Sequence, residues 1–326
     1  MEADPTHLEQ SFAEDVAPAI KGQRVFVTGG NGFLGQYVVA AFRQAGAEVL
    51  APRSSEVDLT DPHQIAQYLM THRPDAIVHL AAACGGIGAN VAEPARFLYE
   101  NALMGLQLLE QARLAEVDRF VLISTTCAYP QNAPLPLRED TLWDGPPTGA
   151  TGPYGMAKRL LHEAVATYEH QYGLRGSVLI PANLYGPGDH FDPANSHVVA
   201  AMIRRYTEAA RDGAPHITNW GTGQPTREFL HVRDAARAIV RATAFQQGSL
   251  PVNLGTGVET SIKSLAEMIA HSAGYLGEIR WDTDKPDGQP RRFLDVSRAQ
   301  DFGFQAEVAL ADGLAETIGW YLRSFH

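Results

Sequence analysis

The sequence predicts an α/β fold built on a parallel, doubly wound sheet. From residue 23 onward, short runs of β-branched and apolar residues alternate with longer segments of helical periodicity. Apolar runs without alternation are typical of strands that are buried on both faces of a sheet. Repeated strand–helix–strand units then imply parallel neighbouring strands joined by crossover helices.

The predicted elements follow in chain order. Apolar, β-branched runs predict strands at residues 24–28, 48–51, 75–80, 120–124 and 176–180. Helical periodicity predicts helices at residues 33–45, 62–72, 94–115 and 154–172. After Pro181 the elements become shorter, and glycine, proline and aromatic residues cluster at 183–195 and 220–227. We therefore expect a smaller α/β C-terminal domain after the sheet.

Length, charge and cysteine content limit the functional classes. The chain has 326 residues, a formal net charge of -11 and two cysteines. This charge argues against a nucleic-acid partner, and no apolar stretch reaches the roughly 18 residues of a membrane span. Two cysteines provide no disulfide framework, so the cytoplasm is the expected location. Residues 1–22 carry acids and no apolar block, which predicts an N-terminal extension rather than a signal peptide.

A glycine-rich turn, Thr28-Gly-Gly-Asn-Gly-Phe-Leu-Gly35, follows the first strand and opens the first helix. Glycines at this place let a pyrophosphate approach the backbone and meet the helix N-terminus. Gly30, Gly32 and Gly35 fit G-x-G-x-x-G, whereas Gly29 with the last two fits G-x-x-G-x-x-G. Both alignments predict a Rossmann-type dinucleotide-binding domain at 23–180, which part of 228–255 would complete. Residues 181–326 would then form mainly a substrate-binding domain, interleaved with the first.

The end of the second predicted strand bears on the choice of dinucleotide. Pro52, Arg53 and two serines follow this strand, where NAD-binding proteins usually carry an acid. A guanidinium and hydroxyls suit a 2′-phosphate, so we expect NADP(H). Glu56 lies close enough in sequence to leave NAD as an alternative. Asp58 and Leu59 would lie near the adenine.

Tyr154 and Lys158 are four residues apart on a predicted helix, so they share a face. An ammonium near a phenol stabilises the phenolate, and we expect it to lower the tyrosine pKa from about 10. Tyr154 would then exchange protons near neutral pH. The alternative for an isolated Y-x-x-x-K pattern is an ordinary helix surface.

Together these residues resemble the extended short-chain dehydrogenase/reductase family. The matching stretches are residues 29–35, 75–82, 124–129 and 154–158, and the resemblance continues to the C-terminus. It implies that the hydroxyl of Thr125 works with Tyr154 and Lys158 on the substrate oxygen. It also implies a set of cofactor-binding residues: Gly29, Asn31, Gly32, Phe33, Leu34, Gly35, Arg53, Asp58, Leu59, Leu80, Ala81, Ala82, Ser124, Lys158, Pro181, Asn183, Leu184 and His197.

Residues 125–130, 183–198, 227–232 and 285–295 are similar to the GDP-L-fucose synthase group of that family. The resemblance implies an NADPH-dependent 3,5-epimerase/4-reductase that converts GDP-4-keto-6-deoxy-D-mannose to GDP-L-fucose or a close analogue. The alternative is a reductase or an epimerase with one activity on another nucleotide-linked 4-keto-6-deoxy sugar. Arg292, Gly188 and Asp192 depart from residues that are common in this group, which leaves the sugar and the base open.

The same resemblance assigns roles to further residues. Cys127 and His197 match an acid/base pair that exchanges protons at carbons 3 and 5 of the sugar. If the strand stayed extended to residue 127, Thr125 and Cys127 would face the same side. The substrate-binding residues implied are Asn183, Arg205, Trp220, Arg227 and Arg292. A homodimer through the helices at 94–115 and 154–172 is implied as well.

The remaining sequence features are the second cysteine and possible metal-binding motifs. Cys84 lies in a turn of small residues, and we interpret it as structural. The sequence contains no H-E-x-x-H motif and no cysteine and histidine spacing typical of zinc, so we predict no metal site.

Overall fold

A parallel sheet forms the centre of the molecule. The computed structural model describes residues 9–192 and 196–325, and within these residues the sheet has six strands in the order β10-β5-β4-β3-β1-β2. All neighbouring pairs are parallel. The strands are β1 Arg24–Thr28, β2 Glu48–Leu50, β3 Ala76–His79, β4 Arg119–Ile123, β5 Arg175–Pro181 and β10 Pro251–Leu254. The predicted doubly wound fold is therefore confirmed.

Helices cover both faces of this sheet. Their bounds are α1 Gln10–Ile20, α2 Phe33–Gln44, α3 Pro62–His72, α4 Ile87–Ala92, α5 Pro94–Leu114, α6 Gly152–Tyr172 and α8 Val232–Phe245. In β1, Val25 and Val27 belong to the core cluster that includes residues of α1, α2 and α8. Phe26 between them belongs to the cluster that includes residues of α3, α5 and α6. The strands therefore read as continuous apolar runs because each face is buried under helices.

The strand order reverses next to β1. The chain passes from β1 to β2 on one side, and then returns to place β3 on the other side. In open α/β sheets, ligands bind in the crevice outside the carboxyl ends of the strands at such a point. A ligand site is therefore expected at the segments that follow β1, β3 and β4.

Smaller sheets and helices build a second lobe. The described residues there form three sheets of two or three strands, in the orders β11-β8-β13, β12-β7 and β6-β9. Helices α7, α9 and α10 contribute to one apolar cluster beside them. The bounds are β6 Asn183–Tyr185, α7 Val198–Arg211, β7 His216–Trp220, β8 Thr226–Arg227, β9 Phe229–His231, β11 Thr260–Ser261, α9 Ile262–Ser272, β12 Glu278–Asp282, β13 Arg291–Arg292 and α10 Leu310–Phe325.

The N-terminal segment contains a helix that belongs to the main core. In α1, the side chains of Phe12, Val16 and Ile20 are buried in the same cluster as α2 and α8. Asp15 forms an ion pair with Arg241 of α8. The part of the predicted extension that lies in α1 therefore packs as an element of the first lobe. No helix among the described residues is both long and apolar enough to cross a membrane.

Candidate active site

The glycine turn after β1 packs backbone against backbone. Gly29 has a φ of 69°, and a Cβ atom there would lie 2.9 Å from the backbone nitrogen of Ala81. A Cβ atom on Gly35 would lie 2.1 Å from the carbonyl oxygen of Gly29. The backbone N–H of Gly32 donates to the same oxygen at 3.0 Å, just before α2 begins. The turn thus presents backbone at a helix N-terminus, which suits a pyrophosphate.

The predicted adenosine end lies after β2. Asn31 Nδ2 donates to the carbonyl of Ala51 at 3.1 Å and ties the glycine turn to this strand end. Arg53 is exposed, and its backbone N–H donates to the Glu56 carboxylate at 2.7 Å. The carboxylate of Glu56, which left NAD as an alternative cofactor, is therefore hydrogen-bonded to the backbone of the segment after β2. Asp58 is exposed and accepts hydrogen bonds from the N–H and hydroxyl of Thr60.

The ends of β1 and β3 are joined by a buried hydroxyl. Thr28 Oγ1 lies 2.9 Å from His79 Nδ1 and accepts from the backbone N–H of Ala81 at 3.2 Å. This bond places the predicted cofactor residues 80–82 against the glycine turn. The remaining predicted apolar residues are half-buried. Phe33, Leu34, Leu80 and Leu184 pack against the main core, and Leu59 packs against the cluster on the opposite face of the sheet.

The segment after β4 forms a tight turn. The strand ends at Ile123, and a single 3₁₀ turn spans Thr126–Ala128. Thr125 itself is extended, and its hydroxyl oxygen accepts from the backbone N–H of Cys127 at 3.2 Å. The expected alternation of Thr125 and Cys127 along an extended strand is therefore wrong. The hydroxyl of Thr125 caps the turn that carries Cys127.

Three residues of helix α6 dock it on this turn and on the end of β4. A Cβ atom on Gly155 would lie 2.1 Å from the carbonyl oxygen of Cys127, so the helix backbone touches the turn directly. Lys158 Nζ donates to the carbonyl of Ile123 at 3.0 Å, and Arg159 Nε donates to the carbonyl of Ala128 at 2.5 Å. Tyr154 precedes Gly155, and these contacts therefore set it beside Cys127.

Burial controls the ionisation of the Tyr154–Lys158 pair. Tyr154 is half-buried, and desolvation raises its pKa well above 10, with smaller contributions from Cys84 and Cys127. Lys158 is 2% exposed, and burial lowers its pKa to about 8. The expectation that Lys158 lowers the tyrosine pKa is wrong here, because the ammonium donates to a backbone carbonyl and desolvation disfavours the phenolate. Tyr154 stays protonated at neutral pH.

Cys84 also belongs to this group of residues. The residue as a whole is exposed, and its thiol donates to the carbonyl of Ala82 at 3.4 Å. Surrounding residues desolvate the thiol and raise its pKa, and its charge acts on both Tyr154 and Lys158. Our interpretation of Cys84 as structural missed this proximity. The available signal was its position directly after the predicted cofactor residues.

His162 is a second residue that the sequence analysis missed. It follows Lys158 by four residues on α6, and its Nε2 lies 2.5 Å from the hydroxyl of Ser124. Burial lowers the pKa of His162 to about 3, so the ring is neutral. Ser124 was predicted to bind the cofactor, but its hydroxyl is engaged with His162, and its backbone N–H with Leu179 of β5. The side chain of Ser124 thus fixes the start of the Cys127 turn.

His197 lies in the second lobe, immediately before α7. It is exposed, yet the residues around it lower its pKa by desolvation, with a smaller contribution from the charge of His190. Among the described residues, no hydrogen bond joins His197 to Cys127 or Tyr154. Asn195 of the Asn-Ser-His-Val motif lies outside the described residues.

Two predicted substrate arginines lie side by side. Strands β8 and β13 pair Arg227 with Arg292. One guanidinium nitrogen of Arg227 donates to the carbonyls of Thr226 and Gln289, each at 2.7 Å. Arg292 donates to the side-chain oxygen of Gln289 at 2.7 Å and to the carbonyl of Thr126. Arg292 therefore touches the Cys127 turn directly.

The other predicted substrate residues lie on further elements of the second lobe. Asn183 is exposed, and its Nδ2 donates to the carbonyl of Glu228 at 2.9 Å. Arg205 donates to Thr218 and Asn219 of β7, whereas neighbouring Arg204 forms an ion pair with Glu208. Trp220 is 77% exposed at the end of β7. It borders a cavity of about 100 Å³ whose lining also includes Arg227, Pro225 and Asp287.

Comparison with known proteins identifies the family of this chain. Residues 25–255 match the model of the NAD dependent epimerase/dehydratase family. The chain belongs to this family. As an epimerase/dehydratase family member, it is 36% identical to the GDP-L-fucose synthase of Escherichia coli strain K12, over 93% of this chain and 97% of that protein.

Two further relatives extend the likeness. A protein named probable GDP-L-fucose synthase 1 from Oryza sativa subsp. japonica is 37% identical, over 99% of this chain and 96% of the relative. A GDP-L-fucose synthetase from Naegleria fowleri, solved with NADP bound, superimposes with a TM-score of 0.85 at 26% identity. That match covers 94% of this chain and 95% of the solved chain.

Proposed function

We propose that this chain is an NADPH-dependent 3,5-epimerase/4-reductase that converts GDP-4-keto-6-deoxy-D-mannose to GDP-L-fucose or a close analogue. The observation that carries the proposal is the docking of α6 on the turn at Thr126–Ala128. Gly155 leaves no room for a side chain against Cys127, and so the proton donor Tyr154 and the thiol share one site. A reductase alone needs the tyrosine but has no use for the thiol.

The glycine turn supports NADP(H) as the cofactor. Gly29 and Gly35 provide close backbone contacts at the N-terminal end of α2, and Arg53 is the exposed cation after β2. The Naegleria relative was solved with NADP, which agrees with this choice. When bound, NADPH supplies the hydride that reduces carbon 4 of the sugar. Residues 29–35, 53 and 80–82 would hold it, while Lys158 would lie at the nicotinamide ribose.

Tyr154 and Thr125 act on the oxygen at carbon 4. Because burial keeps the phenol protonated, Tyr154 donates a hydrogen bond while negative charge develops on this oxygen. The Thr125 oxygen accepts from the backbone N–H of Cys127, which leaves its own O–H available as a second donor. Reduction then transfers the phenolic proton to this oxygen.

Cys127 and His197 exchange the protons at carbons 3 and 5. The keto group acidifies both positions, and epimerisation requires removal of a proton from one face and its return to the other. Thiols and imidazoles have unperturbed pKa values within about two units of neutrality, which suits both directions of transfer. Desolvation lowers the pKa of His197, so the neutral ring that accepts a proton is the main form at neutral pH.

The second lobe binds the nucleotide part of the substrate. Arg227 and Arg292 adjoin each other, and within the described residues their hydrogen-bond acceptors are neutral oxygens. Two adjacent guanidinium groups with neutral partners suit a diphosphate. Trp220 offers an exposed aromatic face at the adjoining cavity. Residues 23–180 would thus serve mainly the cofactor, and residues 181–326 mainly the nucleotide sugar.

We also propose a cytoplasmic homodimer. Helices α5 and α6 pack together and leave Leu98, Tyr99, Met156 and Leu160 from 40% to 65% exposed. Exposed apolar patches of this kind mark interfaces between chains. Both cysteines are free thiols, which agrees with a reducing compartment. Light scattering of the purified chain should give twice the mass of one chain, and replacing Leu160 with aspartate should lower that mass.

Incubation with GDP-4-keto-6-deoxy-D-mannose and NADPH in deuterated water tests the proposal. We expect an NMR spectrum of GDP-L-fucose with deuterium at carbons 3 and 5. A reduced product without deuterium would instead indicate a reductase with one activity, and no turnover of any 4-keto sugar nucleotide would indicate a protein that only binds NADP. The Cys127→Ser variant should bind NADPH normally but lose the incorporation of deuterium. Full epimerisation by this variant would show that Cys127 has a packing role instead.

A further inference from the structure

Glu228 is a buried carboxylate between the two substrate arginines' strands and the main sheet. It follows β8, and 1% of its surface is exposed. Its carboxylate accepts from the backbone N–H groups of Thr256 at 2.5 Å, Gly257 at 2.7 Å and Leu294 at 2.7 Å. Charged acceptors form the stronger hydrogen bonds in proteins, and a buried carboxylate without them would be costly.

The partners of Glu228 come from segments that are distant in sequence. Thr256 and Gly257 follow β10, the edge strand of the six-stranded sheet, and Leu294 follows β13. The backbone carbonyl of Glu228 accepts from Asn183, the first residue of β6. One residue therefore connects the main sheet with the three strand segments that carry Asn183, Arg227 and Arg292.

The carboxylate of Glu228 is tightly packed against its surroundings. A Cβ atom on Gly255 would lie 2.1 Å from Glu228 Oε1, so the carboxylate rests directly on backbone. Burial raises the pKa of Glu228, while the three N–H donors oppose that rise. The Glu228 carboxylate therefore binds backbone amides, and the guanidinium groups of Arg227 and Arg292 have other partners.

The arginine pair needs such support because its charges repel. Burial and the neighbouring charge of Arg292 both lower the pKa of Arg227. Each arginine contacts Gln289, so two positive groups converge on one neutral residue. Strands β8 and β13 contribute only two residues each to their ladder. A ladder this short holds its register poorly without an additional connection.

We propose that Glu228 is a positioning residue that sets the spacing of Arg227 and Arg292 for the diphosphate of the nucleotide sugar. This inference rests on the proposed function, since it takes the arginine pair as the diphosphate site. Glu228 does not touch the substrate. Glu228 directly follows β8, and its partner Leu294 lies two residues after the end of β13. The side chain therefore fixes both strands at one distance from the main sheet.

The Glu228→Gln variant tests this role. The side chain keeps its size, but one acceptor oxygen becomes an amide that faces backbone donors. We expect the Kd for GDP and the KM for the nucleotide sugar to rise at least tenfold, while the Kd for NADPH stays within twofold. GMP lacks the second phosphate and should lose less affinity than GDP. The ratio of GDP to GMP affinity should therefore fall.

Asp234→Asn is the matched control. Asp234 is also 1% exposed, and its carboxylate accepts from the backbone N–H groups of Glu307 at 3.0 Å and Val308 at 2.9 Å. It pairs with Arg237 and contacts neither substrate arginine. Asp234→Asn should lower the melting temperature but leave the GDP to GMP ratio unchanged. Titrations of both variants are done well below their melting temperatures.

The outcomes separate the two proposals. If wild-type protein binds GDP and the Glu228→Gln variant retains the wild-type ratio of GDP to GMP affinity, the positioning role is overturned. An equal fall of this ratio in Asp234→Asn would overturn it too, because it would mark a general loss of structure. If wild-type protein binds none of GDP, UDP and dTDP, the proposed function itself fails.

Discussion

The backbone contact between Gly35 and Gly29 makes a quantitative prediction for Gly35→Ala. The new methyl would lie 2.1 Å from the Gly29 oxygen and 2.6 Å from the Gly30 Cα atom. Real Cβ atoms do not approach closer than 3.0 Å, so α2 and the turn must separate by about 1 Å. Both neighbours are backbone atoms, which cannot rotate away as the end of a side chain can.

The size of the effect follows from this displacement. Overpacking of this kind costs about 1 to 3 kcal/mol of folding free energy. At roughly 2 to 3 °C per kcal/mol, the melting temperature should fall by about 2 to 9 °C. The hydrogen bond from Gly32 to Gly29 sets the helix end that meets the pyrophosphate. A shift of about 1 Å there should weaken NADPH binding roughly tenfold to a hundredfold.

Titration of NADPH fluorescence and a thermal melt measure both effects. Gly319→Ala in α10 is the matched control, because its Cβ would lie 3.4 Å from the end of the Arg323 side chain. Alanine is the better helix former by about 0.5 to 1 kcal/mol, so this variant should melt no lower than wild type. NADPH binding within twofold of wild type in Gly35→Ala would refute the reasoning.

Three further predictions rest on separate parts of the structure. Val16→Ala should lower the free energy of unfolding by about 2 kcal/mol in a urea titration, because Val16 is 0% exposed in the main core; a loss below about 0.5 kcal/mol would show that α1 is dispensable. Burial lowers the pKa of His79, His162 and His231 to about 3, so their stabilisation is full above pH 6.5 and is lost as pH falls from 6.5 toward 3. Each histidine contributes up to about 1.4 kcal/mol per pH unit to the slope of the free energy of unfolding against pH. His162→Gln should remove the contribution of one histidine from the slope measured between pH 5 and 7.5. An unchanged slope would contradict a neutral His162. Tyr154→Phe should slow reduction about 10² to 10⁴-fold in an NADPH oxidation assay and leave the NADPH Kd within twofold, whereas near-normal turnover would remove Tyr154 as the proton donor.

Nine elements of the first lobe could be predicted almost residue by residue, whereas α1, α4, α8 and β10 were not predicted. β1 and α3 begin and end where their patterns predicted, and the other predicted strands and helices differ by one or two residues at their ends. Their apolar runs are long and are bounded by glycine, proline or capping residues such as Asp61 before α3. Local periodicity carries this information because each strand is buried on both faces.

The second lobe and the environment of the site could not be read in this way. Its strands include β8 and β13, which have only two residues each and are too short to show the alternation of a β-strand. The partners of the Glu228 carboxylate lie 28 to 66 residues away along the chain. The turn at Thr126–Ala128 depends on contacts with α6, and no local pattern distinguishes it from a continued strand.

Residue identity and spacing therefore selected the glycine turn and the Tyr154–Lys158 pair, and the family resemblance added Thr125 and Cys127. Tertiary packing decided how these groups behave. Lys158 donates to a backbone carbonyl, and burial raises rather than lowers the pKa of Tyr154. Spacing along a helix tells which side chains are neighbours, but desolvation depends on everything packed around them. That environment exists only once the chain is folded.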